Sequence, residues 1–239
     1  MSTPAITRPA VVQGLTHSLS IALGYFPVAF SFGLMAIQAG FSPLLATMTS
    51  VVVYAGAAQF VLVALAAAGA GPFSIIGTIL LMNVRHLFYG PSILDKLGQG
   101  APLLPTPLLA FWLTDEVYAA SVSKLDSIAP ADRQGWYLGM ELGAYASWVG
   151  GTMLGAVLGQ QLGAQSPWLN QTLDFVLPSL FIALLLEMFR HARVQVTLGA
   201  MISTMLLLWL LPSHYAMLGG LASGALLGAF YAGREHAAR

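Results

Sequence analysis

Residues 74–91 read Ser-Ile-Ile-Gly-Thr-Ile-Leu-Leu-Met-Asn-Val-Arg-His-Leu-Phe-Tyr-Gly-Pro, an apolar run with Asn83, Arg85 and His86 set into its second half. At 1.5 Å rise per residue, a run of about 20 residues crosses the hydrocarbon of a bilayer. An arginine inside such a run costs between ~3 and ~15 kcal/mol, depending on how far it reaches water or a partner, so Arg85 needs a physical reason to be there. One reason is orientation, with the side chain snorkelling to the interface beside Tyr89. The other is function, and its support is the company Arg85 keeps. Asn83, Arg85 and His86 put donors and acceptors on more than one side of the helix, whereas snorkelling needs the arginine alone.

The rest of the chain sets the same scene. Charged residues are 8% and hydrophobic ones 57%, against roughly 25% charged in a soluble domain, and the mean hydropathy is +0.78. No soluble core accounts for that. The expected fold is an all-α polytopic membrane bundle, a single transmembrane domain over 1–239. Apolar runs cut at Pro, Gly and charge predict about eight spans, near 14–38, 44–68, 72–94, 106–124, 136–160, 172–189, 194–211 and 215–232. Arg8, Lys124, Arg133, Arg190, Arg193, Arg234 and Arg239 then fall on the N-terminal side, with Lys96 opposite. That asymmetry predicts both termini in the cytoplasm. The first span is too long for a signal h-region and lacks a clear cleavage site, so it is expected to be retained. The nine Lys and Arg form no basic stripe, which excludes nucleic acid as a partner, and the absence of cysteine excludes thiol chemistry and disulfides.

Several spans carry punctuation or polar groups. The first holds Gly24-Tyr25-Phe26-Pro27 at its centre, where the proline removes a backbone bond and predicts a kink or a broken helix. The second carries Tyr54-Ala55-Gly56-Ala57-Ala58-Gln59-Phe60, small residues that admit a neighbouring backbone and an amide that glues helices or meets a ligand. The fourth contains Thr114-Asp115-Glu116-Val117-Tyr118. Adjacent carboxylates sit about 100° apart on a helix, so one meets a cation while the other meets water, unless both lie at an interface. The fifth packs Gly139, Gly143, Gly150, Gly151, Gly155 and Gly159 into small-xxx-small spacings that fit close helix crossings, and Glu141 is placed in its first turns, where it complements the helix N-terminus. In the sixth, Asp174 and Pro178 precede an interfacial Glu187 and Arg190. A faint likeness between residues 59–62 and 174–177 leaves a weak internal repeat open.

No nucleophile elbow, His-Glu-x-x-His or phosphate-binding loop is present, and the five histidines are dispersed. An enzyme is not expected, nor a cofactor or a metal. Polar groups buried in the first four spans fit a secondary transporter.

At these residues the chain resembles the large subunit of the AzlC-type, or YgaZ-like, branched-chain amino-acid permeases. The matching stretches are Gly24 to Gly33, Tyr54 to Phe60, Asn83 to Gly90 and Thr114 to Tyr118, and Asn-x-Arg-His-x-x-Tyr-Gly is the most specific. The resemblance implies export of branched-chain or related small amino acids across a bacterial inner membrane, together with a small AzlD-type membrane subunit. Within that picture Arg85 forks onto the substrate carboxylate, and broken-helix amides near Pro27 add donors. Asp115 or Glu116 holds the ammonium or a coupling proton. Tyr25, Phe26, Tyr54, Phe60 and Tyr89 line an apolar wall, with Asn83, His86 and Gln59 fixing orientation. A structural Arg85 to Asp115 ion pair is the competing arrangement. A channel or uniporter for another solute, and an assembly subunit without transport of its own, are the alternative functions.

Overall fold

The computed structural model describes residues 7–84, 86–97, 105–163 and 194–237, with Ile182 alone between the last two. Every regular element among them is helical. The chain divides into two compact units, Met1–Phe60 with Asn83–Leu173 and Val61–Met82 with Asp174–Arg239.

In the first unit one long helix is the scaffold. This is α9 (Arg133–Gly163), 31 residues without a break, and it runs against α1 (Arg8–His17) and α2 (Leu19–Gln38). Glycines from both sides let the backbones touch. A Cβ added at Gly14 would lie 1.9 Å from the Trp136 carbonyl oxygen, and one at Gly139 would lie 2.1 Å from that of Val11. Further along, Gly33 meets the Thr152 carbonyl and Gly155 the Phe30 carbonyl at similar distances. The small-residue spacing of the fifth span is therefore a packing device, as its pattern predicts.

Helix α2 narrows one expectation, the kink or break at Pro27, by excluding the break. Pro27 lies inside it and the helix neither breaks nor frees a set of amides. Proline removes one bond, to the carbonyl of Leu23, and both residues are on the exposed side. The opposite side, with Ala29, Phe32 and Gly33 buried, packs on α9 and holds the helix together.

The breaks fall elsewhere, inside the second, third and fourth expected spans. The second is α3 (Pro43–Val53) and α4 (Gly56–Ala67), parted at Tyr54-Ala55. The third is α5 (Pro72–Asn83) and α6 (His86–Leu97). The fourth is α7 (Thr106–Phe111) and α8 (Asp115–Lys124), parted at Trp112-Leu113-Thr114. Continuous helices over 44–68, 72–94 and 106–124 are thus overturned. Consequently α2 is the one described helix both long and apolar enough to cross a bilayer by itself.

Tyr54 shows why the first of these breaks is real. Its φ of 35° is left-handed, a region that costs a bulky residue about 1–2 kcal/mol and stops a helix. Gly56 follows with a φ of 23°. The carbonyls this break leaves without helical partners are served from α9, where the Tyr145 hydroxyl donates to the Val51 carbonyl at 2.9 Å. The same device recurs at α7, whose Leu109 carbonyl accepts from the Tyr137 hydroxyl at 3.3 Å.

In the second unit, α10 (Val194–Leu208) and α11 (Ser213–Ala237) form an antiparallel pair. Gly199 faces Leu227, Gly219 faces Leu207, and the Ser203 and Ser223 hydroxyls hydrogen-bond. Large apolar side chains such as Met205, Leu206, Trp209 and Leu226 stay exposed, as expected of helices that face lipid. The expected sixth span, 172–189, with Asp174, Pro178, Glu187 and Arg190, lies outside the described residues apart from Ile182.

Candidate functional site

The site is built where α8 begins. Thr114 is its N-cap, in an extended conformation, with its hydroxyl accepting from the Val117 amide at 3.3 Å. Asp115 and Glu116 are therefore the first residues of a helix rather than neighbours in the middle of one. A helix N-terminus carries partial positive charge, which eases the placing of two carboxylates side by side. The mid-helix placing expected of this pair is corrected accordingly.

Tyr25, from α2, completes the group. Its ring is buried and its hydroxyl lies 2.7 Å from Thr114 Oγ1 and 2.5 Å from Glu116 Oε2. A phenol has one proton to give, and a carboxylate is the stronger acceptor, so Glu116 takes it while the threonine hydroxyl stays within reach. Glu116 itself is exposed. The pair thus joins a fixed donor inside to a reachable carboxylate outside.

Behind Tyr25 stands a polar network that the sequence does not announce. The Trp148 ring meets that of Tyr25 edge to face with centroids 5.2 Å apart. Its indole N–H donates to Gln59 Oε1 at 2.7 Å, the Gln59 amide donates to Ser50 Oγ at 2.8 Å, and Ser50 meets the Thr152 hydroxyl at 2.7 Å. Gln59 is wholly buried with both ends of its amide engaged. Both branches of its expected role are narrowed by this: it orients Trp148, and through it Tyr25.

Helix α9 supplies one polar face to the whole arrangement. Tyr137, Glu141, Tyr145, Trp148 and Thr152 follow one another at intervals of three or four, the repeat of a single helix face. That spacing was available in the sequence, where the glycines drew the reading to packing alone. Glu141 was expected in the first turns at a helix end. It lies instead two turns inside α9, wholly buried, and neither carboxyl oxygen has a hydrogen-bond partner.

The Asn83 to Tyr89 motif sits at the second break. His86 Nδ1 lies 3.0 Å from the Asn83 carbonyl oxygen, which assigns the proton to Nδ1 and caps the end of α5. The His86 ring meets Tyr89 edge to face at 5.6 Å, and Tyr89 stacks on Tyr118 of α8 at 4.3 Å. Ser92 lies 3.2 Å from the Tyr118 hydroxyl. Arg85 itself lies outside the described residues.

Of the expected residues, then, Tyr25, Tyr54 and Gln59 gather with Glu116 around Trp148 and Tyr145. His86 and Tyr89 reach α8 through Tyr118. Phe26 and Pro27 do not join them. Phe26, about 100° round the helix from buried Tyr25, is 41% exposed. Phe60 is buried against Phe32. Among the described residues no group of acids and histidines is arranged to hold a metal.

Comparison with known proteins bears on the same segment. The family described as AzlC protein matches residues 20–162, from α2 to the end of α9. Inner membrane protein YgaZ of Escherichia coli is 37% identical over 96% of this chain and 95% of its own length. An uncharacterized membrane protein of Archaeoglobus fulgidus is 38% identical over 79% of this chain and 81% of its own. The branched-chain amino acid transport protein AzlC of Bacillus subtilis is 26% identical over 85% and 80%. No solved structure matches.

Proposed function

The chain belongs to the AzlC family, and on that premise we propose that it is a multi-pass secondary transporter that exports branched-chain or related small amino acids across the bacterial inner membrane. Both termini lie in the cytoplasm, about eight membrane crossings are made, and a small AzlD-type subunit completes the carrier. Export is coupled to protons.

What supports this reading is the meeting of Tyr25 with Thr114 and Glu116 at the start of α8, inside the segment the family matches. Helices interrupted at membrane depth are tolerated where they line a cavity, and their free ends are the usual means of holding a small zwitterion. An amino acid brings a carboxylate, an ammonium and an aliphatic tail. Arg85, which the sequence sets between Asn83 and His86, takes the carboxylate as a two-pronged partner. Glu116 and Asp115 take the ammonium, with the Tyr25 proton holding one Glu116 oxygen and leaving the other to the substrate. Tyr25, Tyr54 and Tyr89 supply the apolar wall for the tail, while Gln59 acts through Trp148. Each part is a binding contact and none is a bond-breaking step, which is carrier chemistry.

Purified protein in vesicles loaded with leucine tests this, with and without the small subunit. Saturable efflux that a protonophore stops is expected. Flux that never saturates would point to a channel, and no flux in either preparation would leave an assembly role.

A further inference from the structure

Glu141 has no part in the binding arrangement just described, yet it is a buried carboxyl whose oxygens have no hydrogen-bond partner. It is 0% exposed and sits two turns inside a 31-residue helix. An isolated carboxylate removed from water costs many kcal/mol, so such a group carries a proton or finds a cation. No lysine, arginine or histidine among the described residues bonds to it.

Two tyrosine hydroxyls lie within interaction range of it. Tyr137, one turn back on α9, is close enough to interact, although its own proton goes to the Leu109 carbonyl. Tyr54, at the break between α3 and α4, is within electrostatic reach and has a buried hydroxyl with no hydrogen-bond partner of its own. Tyr54 is also within reach of Glu116 and Tyr145. Both acids thus act on it, at a left-handed backbone position where a helix is interrupted.

We propose that Glu141 carries the coupling proton and that Tyr54 transmits its charge to the helix break. With the proton on, Glu141 is neutral and asks nothing of Tyr54. When the proton leaves, the carboxylate that remains needs donors, and the idle Tyr54 hydroxyl is the one available without breaking another bond. Swinging it toward Glu141 moves a ring that packs on Tyr145, the residue that holds the free end of α3. Loading and unloading one proton thereby biases the interruption beside the substrate groups. This rests on the transporter reading for its consequence, but not for the protonation of Glu141 itself.

Infrared spectroscopy of the purified chain separates the two. A protonated-carboxyl band at neutral pH is expected in the native protein, shifted in Glu141→Asp and missing in Glu141→Gln. In vesicles with the complete carrier, a one-unit pH gradient supports about tenfold accumulation at one proton per substrate, the equivalent of ~1.4 kcal/mol. Glu141→Gln is expected to keep exchange of labelled for unlabelled substrate and lose that gradient-driven accumulation. Tyr54→Phe is expected to shift its pH profile while leaving the Glu141 band in place. An unchanged infrared band in Glu141→Asp overturns the proposal even if Glu141→Gln fails to fold, and so does gradient-driven accumulation by Glu141→Gln. A carboxyl band with no transport at all would leave Glu141 protonated and count against the transporter reading instead.

Discussion

The Tyr25 hydroxyl lies 2.5 Å from Glu116 Oε2 and ties α2 to the first turn of α8. A hydrogen bond to a charged group is worth ~1.5–3 kcal/mol, or about tenfold to a hundredfold in an equilibrium. Tyr25→Phe keeps the ring against Trp148 and loses that bond. Half-saturation of transport is expected to rise about tenfold or more, with normal amounts of folded protein in the membrane; an unchanged half-saturation value would refute the role of the pair.

Gln59 serves the structure through two partners at once. Gln59→Leu strands the buried Trp148 indole N–H at a cost of ~1–3 kcal/mol, while the Ser50 hydroxyl keeps its bond to Thr152. The melting midpoint in detergent is expected to drop, and adding Trp148→Phe is expected to cost less than the sum of the two single changes. Strict additivity would mean that the network is not coupled.

Close backbone packing on α9 can be tested by a matched pair of alanines. A Cβ at Gly155 would meet the Phe30 carbonyl oxygen at 2.1 Å, while at Gly150 it would meet nothing within 4 Å. Gly155→Ala is expected to cut the amount of folded protein severalfold, and Gly150→Ala to leave it unchanged or slightly raised, since alanine is the better helix former. Quantifying both in membranes decides the matter.

The Lys96 to Asp126 ion pair, at 3.0 Å, provides the contrast; with Arg133 donating to the Lys96 carbonyl at 3.0 Å, it also corrects the expected sidedness, since Lys96 lies beside Asp126 and Arg133 rather than opposite them. Lys96 holds the Asp126 carboxyl below its usual range, so any stabilisation is present at neutral pH and fades as acid titrates the carboxyl through that lowered value. The pair is open to solvent, with Asp126 71% exposed, and water and salt screen it. Asp126→Asn is expected to leave the melting midpoint at pH 7 where it was, as is high salt.

Arg85 carries the sequence-based part of the site. Arg85→Lys keeps the charge and loses the planar fork. Transport is expected to vanish while assembly persists, whereas loss of the whole protein from the membrane would favour a structural ion pair with an acid such as Asp115.

Much of this was open to reading along the chain. Helical composition, the glycine spacing of α9 and the motifs from Tyr25 to Tyr118 are local properties, and a local pattern is enough to specify them. Two positions show where that stops. Pro27 is a strong local signal for a break, yet α2 runs through it, because one missing bond is small beside the packing of a whole helix side on α9. At Tyr54 local propensity predicts continuation, yet the helix is interrupted, because Tyr145, far away in sequence, accommodates the free carbonyl end.

Glu141 is the clearest case of the second kind. Nothing in its immediate neighbours says whether it meets water, a cation or a sealed interior; the first-turn position assumed for it followed from where the span was drawn. Sequence alone determined that this chain is an apolar helical protein with a recognisable run of polar residues at four places. Tertiary structure decided which of those places are helix ends, and which carboxylate is shut away, because burial and the rescue of free backbone groups depend on partners that lie about a hundred residues off in the chain.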